Sequence, residues 1–305
     1  MKFKEDFIAR FKILLGNELE EFLEYSKRFL RTSIRINTLK INIDECKRRL
    51  IDKGWRIEQV PWCESGFYVY NAPSDIGNTI EHCLGYYYVQ EAASMIPVET
   101  IDECEYVKIL DLCASPGSKT TQIAQKFRES VIVANDVRID RIKILSSNLQ
   151  RCGVINTIVT MEKGERFHEH GIKFDLVFVD PSCSSEGAIR KNFKIMEMWN
   201  VFSIKKFSKL QKKLIESGFN CLNKNGTLVY STCTLAPEEN EEVVDYLLNR
   251  YENASVERIN LKIKSRPGIE EWENKKYNDE VKKCMRIYPQ DNDTEGFFVA
   301  KIKKL

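Results

Sequence analysis

Two of the ten cysteines stand out by position. Cys183 lies in Asp180-Pro181-Ser182-Cys183-Ser184-Ser185-Glu186-Gly187, and Cys233 in Tyr230-Ser231-Thr232-Cys233-Thr234. Each follows an apolar run that reads as a buried strand, so both loops open on one edge of a sheet. A thiol with an ordinary pKa of ~8.5 is only a few per cent thiolate at neutral pH, yet already a strong nucleophile. Lys119, Arg190 and Lys191 are the cations placed to raise that fraction. A lone cysteine is more often a small core hydrophobe. Two on functional-edge loops beside carboxylates shift the balance toward catalysis.

The carboxylates fall where strands end: Asp111, Asp136 and Asp180. There they accept from ribose hydroxyls or a ligand amine, or simply cap a turn. The loop Ala114-Ser115-Pro116-Gly117-Ser118 has no GxGxxG, and Ser118 stands where a P-loop needs Gly before Lys119. What remains is a tight turn onto a helix N-terminus, suited to cradling a ligand through backbone N–H groups. Cysteines in CxxC pairs are absent and only three His occur, so no zinc site is expected.

The elements that position these residues follow from periodicity. Helical spacing of Phe3, Phe7, Phe11 and Leu14, then Leu19, Phe22, Leu23, Phe29 and Leu30, predicts two helices broken at Gly16-Asn17. Strands are predicted over 33–38, 55–60, 67–70 and 86–90, with a basic helix over 44–52. From Tyr106 strands and helices alternate. Strands are expected at 107–112, 131–134, 155–160, 175–179 and 227–230, with helices from about Lys119, over 139–151, up to about Asn223 and from near Pro237. That alternation implies a parallel sheet covered on both faces, binding ligands at the carboxyl ends of its strands.

At 305 residues, 43% of them hydrophobic and 30% charged, the chain is long enough for one large and one small domain. Disordered, collagen-like and disulfide-scaffold classes are excluded. No apolar run reaches the ~18 residues of a membrane span, and the charged start leaves no signal-peptide core, so a cytoplasmic location is expected. Net charge is +2, but residues 27–56 carry +7 and residues 186–213 carry +6. Such blocks suit a phosphate backbone or are solvated helix faces.

The run Ile109-Leu110-Asp111-Leu112-Cys113-Ala114-Ser115-Pro116-Gly117-Ser118-Lys119-Thr120-Thr121 closely resembles the first motif of the Sun/Nop family of RNA (cytosine-5) methyltransferases. Further matches keep the family's order. They are Asn135-Asp136-Val137 with Arg141, Asp180-Pro181-Ser182-Cys183, Gly187 with Ile189-Arg190-Lys191, and Ser231-Thr232-Cys233-Thr234 with Pro237-Glu238-Glu239-Asn240-Glu241. Ser33-Ile34-Arg35-Ile36-Asn37-Thr38, Gln90-Glu91-Ala92-Ala93-Ser94 and Glu295-Gly296-Phe297-Phe298-Val299-Ala300 also fit, so the resemblance runs from about Leu30 to the end.

The resemblance implies a Rossmann-like, doubly wound class I methyltransferase sheet at 105–305 and a smaller N-terminal α+β RNA-binding subdomain at 1–104. It implies S-adenosylmethionine as methyl donor, with Cys113, Ala114, Ser115, Pro116, Gly117, Ser118 and Lys119 at its methionine and backbone end. Asp136 takes the ribose hydroxyls with Arg141 close by, and Asp180 lies between cofactor and base. The family usually has Asp before Gly after the third strand; here Glu162-Lys163-Gly164 stands, which leaves the adenine contact to Glu162 or a backbone carbonyl.

By the same resemblance Cys233 is the nucleophile that adds to carbon 6 of cytosine. Asp180 serves N3 and the amine, Cys183 assists proton removal and release, and Lys119 orients Asp180 and the base. DNA cytosine methyltransferases use a Pro-Cys-loop cysteine, so a swapped assignment to Cys183 stays open. The alternatives are a DNA cytosine-5 methyltransferase or a non-catalytic RNA-binding assembly factor. The expected partner is structured RNA, tRNA favoured over rRNA because no length follows for an appended RNA-binding domain. The protein is expected to be a monomer without metal. Tyr86, Tyr87 and Tyr88 either stack on nucleotides or half-bury against the sheet.

Overall fold

The computed structural model describes residues 2–102 and 107–305. The expected domain boundary at 104/105 lies outside the described residues. The N-terminal part holds α1 (Glu5–Leu15), α2 (Leu19–Tyr25), β1 (Thr32–Ile36), α3 (Ile43–Asp52), β2 (Arg56–Gln59), β3 (Gly66–Asn71), α4 (Ile80–Cys83), β4 (Tyr87–Val89) and α5 (Ile96–Glu99). The next part alternates β5 (Lys108–Asp111), α6 (Ser118–Lys126), β6 (Val131–Asp136), α7 (Ile139–Cys152), β7 (Thr157–Met161) and β8 (Phe174–Val179). Then come α8 (Lys194–Met198), α9 (Val201–Asn220), β9 (Leu222–Thr232) and α10 (Glu241–Arg250). The remainder is β10 (Ala254–Glu257), β11 (Arg266–Pro267), the hairpin β12 (Glu271–Trp272) and β13 (Lys275–Lys276), β14 (Met285–Ile287), α11 (Pro289–Asn292) and β15 (Phe297–Lys304).

Two sheets organise these elements. The first is antiparallel, in the order β2-β3-β1-β4. The second runs β11-β14-β15-β9-β8-β5-β6-β7, with β10 also on β15. The strands β7-β6-β5-β8-β9 are parallel, as the alternation predicts. The sheet is not parallel throughout, however. β15 runs antiparallel to β9, and β10, β11 and β14 extend that antiparallel flank. Of these, β10, β11 and β14 are two to four residues long, too short to show a period of two. The chain reverses its direction of travel across the sheet at β5 and β8. Carboxyl ends of strands diverge there and leave a crevice.

The N-terminal helices bury Phe7, Phe11 and Phe22 against Trp199, Ile204 and Tyr288 of the second half. Ring centroids of Phe7 and Phe11 lie 4.3 Å apart, and those of Phe11 and Phe22 4.5 Å apart. Buried Arg35 of β1 donates to Gln90 Oε1 (3.0 Å) and Thr121 Oγ1 (2.7 Å), tying the small sheet to α6. Arg286 of β14 pairs with Glu241 at 2.6 Å, both side chains almost fully buried, and donates to the Leu235 carbonyl at 2.5 Å. That clamp fixes the segment that follows Cys233. Removing one partner of such a pair leaves an uncompensated buried charge. Arg286→Met is expected to cost about 3–5 kcal/mol, read as a lower urea midpoint at unchanged slope.

Candidate active site

The two cysteine loops converge. Cys183 Sγ and Cys233 Sγ lie 3.4 Å apart, both half-buried at the carboxyl ends of β8 and β9. Neighbouring contacts hold each loop. Gly187 N–H donates to the Cys233 carbonyl at 2.9 Å, and Gly296 N–H donates to the Gly187 carbonyl at 3.0 Å. A Cβ on Gly187 would sit 2.0 Å from the Gly296 carbonyl oxygen, so only glycine permits that approach. Ser184 N–H donates to Glu239 at 3.1 Å. Gln211 Nε2 donates to Glu239 Oε2 (2.8 Å) and to the Ser182 carbonyl (3.0 Å). Both residues flanking Cys183 are thereby pinned.

Asp180 and Lys119 join the same cluster. Lys119 Nζ donates to Asp180 Oδ2 at 2.7 Å, and Ser231 Oγ donates to Asp180 Oδ1 at 2.9 Å. Burial pulls the Lys119 pKa down, but the Asp180 charge outweighs it and the ammonium is retained. The hydrogen bond with Cys183 lowers the Cys233 pKa, and Lys119 adds to this. The same bond, with burial, pushes Cys183 well up. The pair therefore favours a thiolate on Cys233 and a thiol on Cys183. Of the three expected cations, only Lys119 acts on the sulfurs. Arg190 is turned away to Asp293 Oδ1 (2.6 Å) and the Thr294 carbonyl (2.9 Å), and Lys191 faces Glu295 at 3.7 Å.

A cleft opens beside this cluster, lined by Cys113, Asp136 and Arg141 of the expected set. Asp136 Oδ2 accepts from Arg141 Nε (3.1 Å) and Ser115 N (3.3 Å). Ala114 N–H bonds the Asn135 carbonyl at 2.8 Å, and Pro116 offers its carbonyl to Asn148 at 2.8 Å. Gly117 takes φ +102° and opens α6 at Ser118, a turn no other residue adopts cheaply. Asp111 accepts from Thr120 Oγ1 at 2.7 Å, while its buried Oδ1 has no partner among the described residues. Burial lifts its pKa to about 6. An orphaned buried carboxylate oxygen at a strand end fits a cationic amine, as on the amino-acid end of S-adenosylmethionine. At the other end, Val137, Leu210, Leu214, Gly164 and Glu165 line the wall. Glu162 spends its backbone on Asn135 and its carboxylate on Lys163 N at 2.7 Å. Glu165 therefore lines the cleft where Glu162 and Lys163 do not, which the sequence pattern did not single out.

Comparison with known proteins follows this geometry. The family described as 16S rRNA methyltransferase RsmB/F matches residues 99–303, and the N-terminal domain of 16S rRNA methyltransferase RsmF matches residues 3–92. The chain belongs to this family. It is 45% identical, over 100% of its own length and 99% of the relative's, to a tRNA (cytosine(49)-C(5))-methyltransferase of Pyrococcus abyssi. It is 40% identical to the ribosomal RNA small subunit methyltransferase F of Vibrio atlanticus, covering 99% of this chain but only 64% of that one. A solved methyltransferase homolog from Pyrococcus horikoshii superposes with a TM-score of 0.89 at 34% identity, covering 99% of this chain and 96% of that one. The family resemblance and the methyltransferase fold expected from the motifs are both confirmed.

The basic blocks divide. In the first, Arg35 is buried, Lys40 caps the Leu84 and Arg151 carbonyls, Lys53 pairs with Glu81, and Arg28 pairs with Glu24. Much of its charge is thus paired within the chain, although Arg28, Lys40 and Lys53 stay exposed. In the second, Lys205, Lys206, Lys209 and Lys213 of α9 are exposed and have no ion-pair partner among the described residues. Tyr87 and Tyr88 are buried, at 0% and 7% exposure, so neither offers a face for nucleotide stacking.

Glu239 was matched only as part of a motif, yet it supports the Cys183 loop directly. Burial lifts its pKa from 4.5 to about 8. A carboxyl whose folded pKa is raised adds stability that is full below its unfolded value and is lost as pH rises toward the folded one. Glu239→Gln does not titrate there. Urea unfolding at about pH 4.5 and about pH 8.5 should therefore show wild type losing stability relative to the variant. A constant difference would contradict the assignment.

Proposed function

We propose that this protein transfers a methyl group from S-adenosylmethionine to carbon 5 of a cytosine in tRNA, with Cys233 as the nucleophile. The observation that carries the reading is the 3.4 Å sulfur pair beside the Lys119–Asp180 ion pair. Carbon 5 of cytosine is too poor a nucleophile to take a methyl directly. The Cys233 thiolate adds to carbon 6, pushing electron density to carbon 5. When bound, S-adenosylmethionine supplies an electrophilic methyl group on its sulfonium. Asp180 accepts from the exocyclic amine and, once addition at carbon 6 makes N3 basic enough to take a proton from solvent, from N3–H. That proton is returned when the ring is restored, and Lys119 holds Asp180 in place. A solvent water hydrogen-bonded to the Cys183 thiol takes the carbon 5 proton, and the C–H electron pair re-forms the carbon 5–carbon 6 double bond as the Cys233–carbon 6 bond breaks and frees the thiolate. One difficult substitution is thereby split into easier steps. The donor's residues are Asp111, the Cys113–Lys119 turn, Asp136 and Arg141.

The target base must leave its stack to meet both sulfurs. Lys206, Lys209 and Lys213 recur at helical spacing on the exposed face of α9, while Leu210 and Leu214 of the same helix wall the cleft. This supports α9 as a phosphate-contacting face beside the site. The 45% identical relative, matched end to end, supports tRNA over rRNA and points to cytosine 49.

Cys233→Ala should form no 5-methylcytosine. Cys183→Ala should leave RNA covalently trapped, seen as a slow band on a denaturing gel. The opposite pattern would swap the two roles. Bisulfite sequencing of RNA from cells with and without the protein should lose the signal in tRNA; a loss confined to rRNA would refute the tRNA assignment. Replacing Lys206, Lys209 or Lys213 with Ala should each flatten the salt dependence of RNA binding by about 0.7–0.9 in log–log slope. Unchanged slopes would remove α9 from the RNA path.

A further inference from the structure

A second groove lies between the N-terminal segment and the catalytic loops. It is lined by Phe29, Leu30, Thr32, Val89, Glu91 and Lys191, and holds about 250 Å³. That is below the ~300–1,000 Å³ usual for drug-sized ligands, and suits one planar base. Phe29 is 87% exposed, an unfavourable state for a phenyl ring. Its backbone is nevertheless pinned. Arg190 Nη2 donates to the Phe29 carbonyl at 3.0 Å, and the Arg190 side chain is itself only 1% exposed. Arg190 follows the turn in which Gly187 holds the Cys233 carbonyl at 2.9 Å. One short segment thus anchors both the backbone that bears the exposed ring and the Cys233 carbonyl.

The charges around the groove differ in their freedom. Arg31 and Arg190 spend their donors on main-chain carbonyls and on Asp293. Among the described residues Lys191 has a single, long ion-pair contact, 3.7 Å to Glu295, and its side chain is 66% exposed. The groove wall is tied to the site by a short chain of bonds: Glu91 accepts from Glu295 N–H at 3.2 Å, and Gly296 N–H donates to the Gly187 carbonyl at 3.0 Å.

We propose that Phe29 is the stacking platform for a nucleotide flanking the target cytosine, and that Lys191 pairs with its phosphate. The proposal rests on the reading of RNA as substrate. Extruding one base exposes a face of its neighbour, and an aromatic ring presented beside the pocket replaces the lost stack. A stack of this kind tolerates any base, since each has a π-face.

The probe is an unmodified tRNA transcript with cytosine at position 49, with binding followed by fluorescence anisotropy. Phe29→Ala and Phe29→Leu should each weaken binding roughly 5- to 100-fold, the range that loss of one base–aromatic stack produces. Leu keeps apolar area but lacks a π-face, so Phe29→Trp should restore affinity where Phe29→Leu does not. Transcripts abasic at the flanking nucleotide should bind wild type and Phe29→Ala equally. Melting temperature and S-adenosylmethionine affinity should not move. Wild-type binding by Phe29→Ala, or an equal loss on transcripts abasic at each flank, overturns the platform. Failure of the methyltransferase reading is read separately, as wild type binding the transcript but forming no 5-methylcytosine.

Discussion

Two sulfur atoms 3.4 Å apart set the terms for everything around them. A pair that close shares one proton well and two thiolates badly, so one sulfur gains nucleophilic character as the other keeps its hydrogen. The arrangement needs two loops from separate strands to meet without drifting. The fold supplies this by backbone contact rather than by side-chain bulk. Gly187 and Gly296 lie in main-chain contact, and that contact carries the Cys233 carbonyl with it. β15, antiparallel on β9, exists at this edge to bring Gly296 there.

Buried carboxyls do the remaining positioning. Glu239 holds the Cys183 loop, Glu241 with Arg286 holds the chain after Cys233, and Asp180 couples Ser231 to Lys119. Burying ionisable groups is expensive unless each is bonded. Here each bond reaches a residue whose displacement would move a reacting atom. Asp111 keeps one buried oxygen with no partner among the described residues, so unlike the others it is free to accept from a ligand.

Much of this was legible in the sequence because chemistry and periodicity agreed. The five parallel strands read as apolar runs, and their ends placed Asp111, Asp136, Asp180, Cys183 and Cys233 on one edge. The β10 to β14 flank was not legible, since its strands are too short to carry a pattern. Charge counts misled for a different reason. Arg35 and Arg190 added to basic totals, yet both are consumed by buried hydrogen bonds, a distinction only tertiary structure makes. Phe29 and Leu30 continue the helical spacing of Leu19, Phe22 and Leu23, yet α2 ends at Tyr25 and leaves Phe29 in the segment beyond it, so periodicity misplaces this ring. Its significance comes from Arg190, which is distant in sequence and adjacent in space. Lys163 departs from the family pattern, and in the structure Glu165, not Glu162 or Lys163, lines the cleft wall.

The central claim is that Cys233, and not Cys183, bonds to the pyrimidine. RNA carrying 5-fluorocytosine at the target tests it directly, because fluorine cannot leave as a proton does and the covalent intermediate accumulates. Mass spectrometry of proteolysed adduct should find the nucleotide on the peptide containing Cys233. Attachment at Cys183, or no attachment at all, would contradict the account.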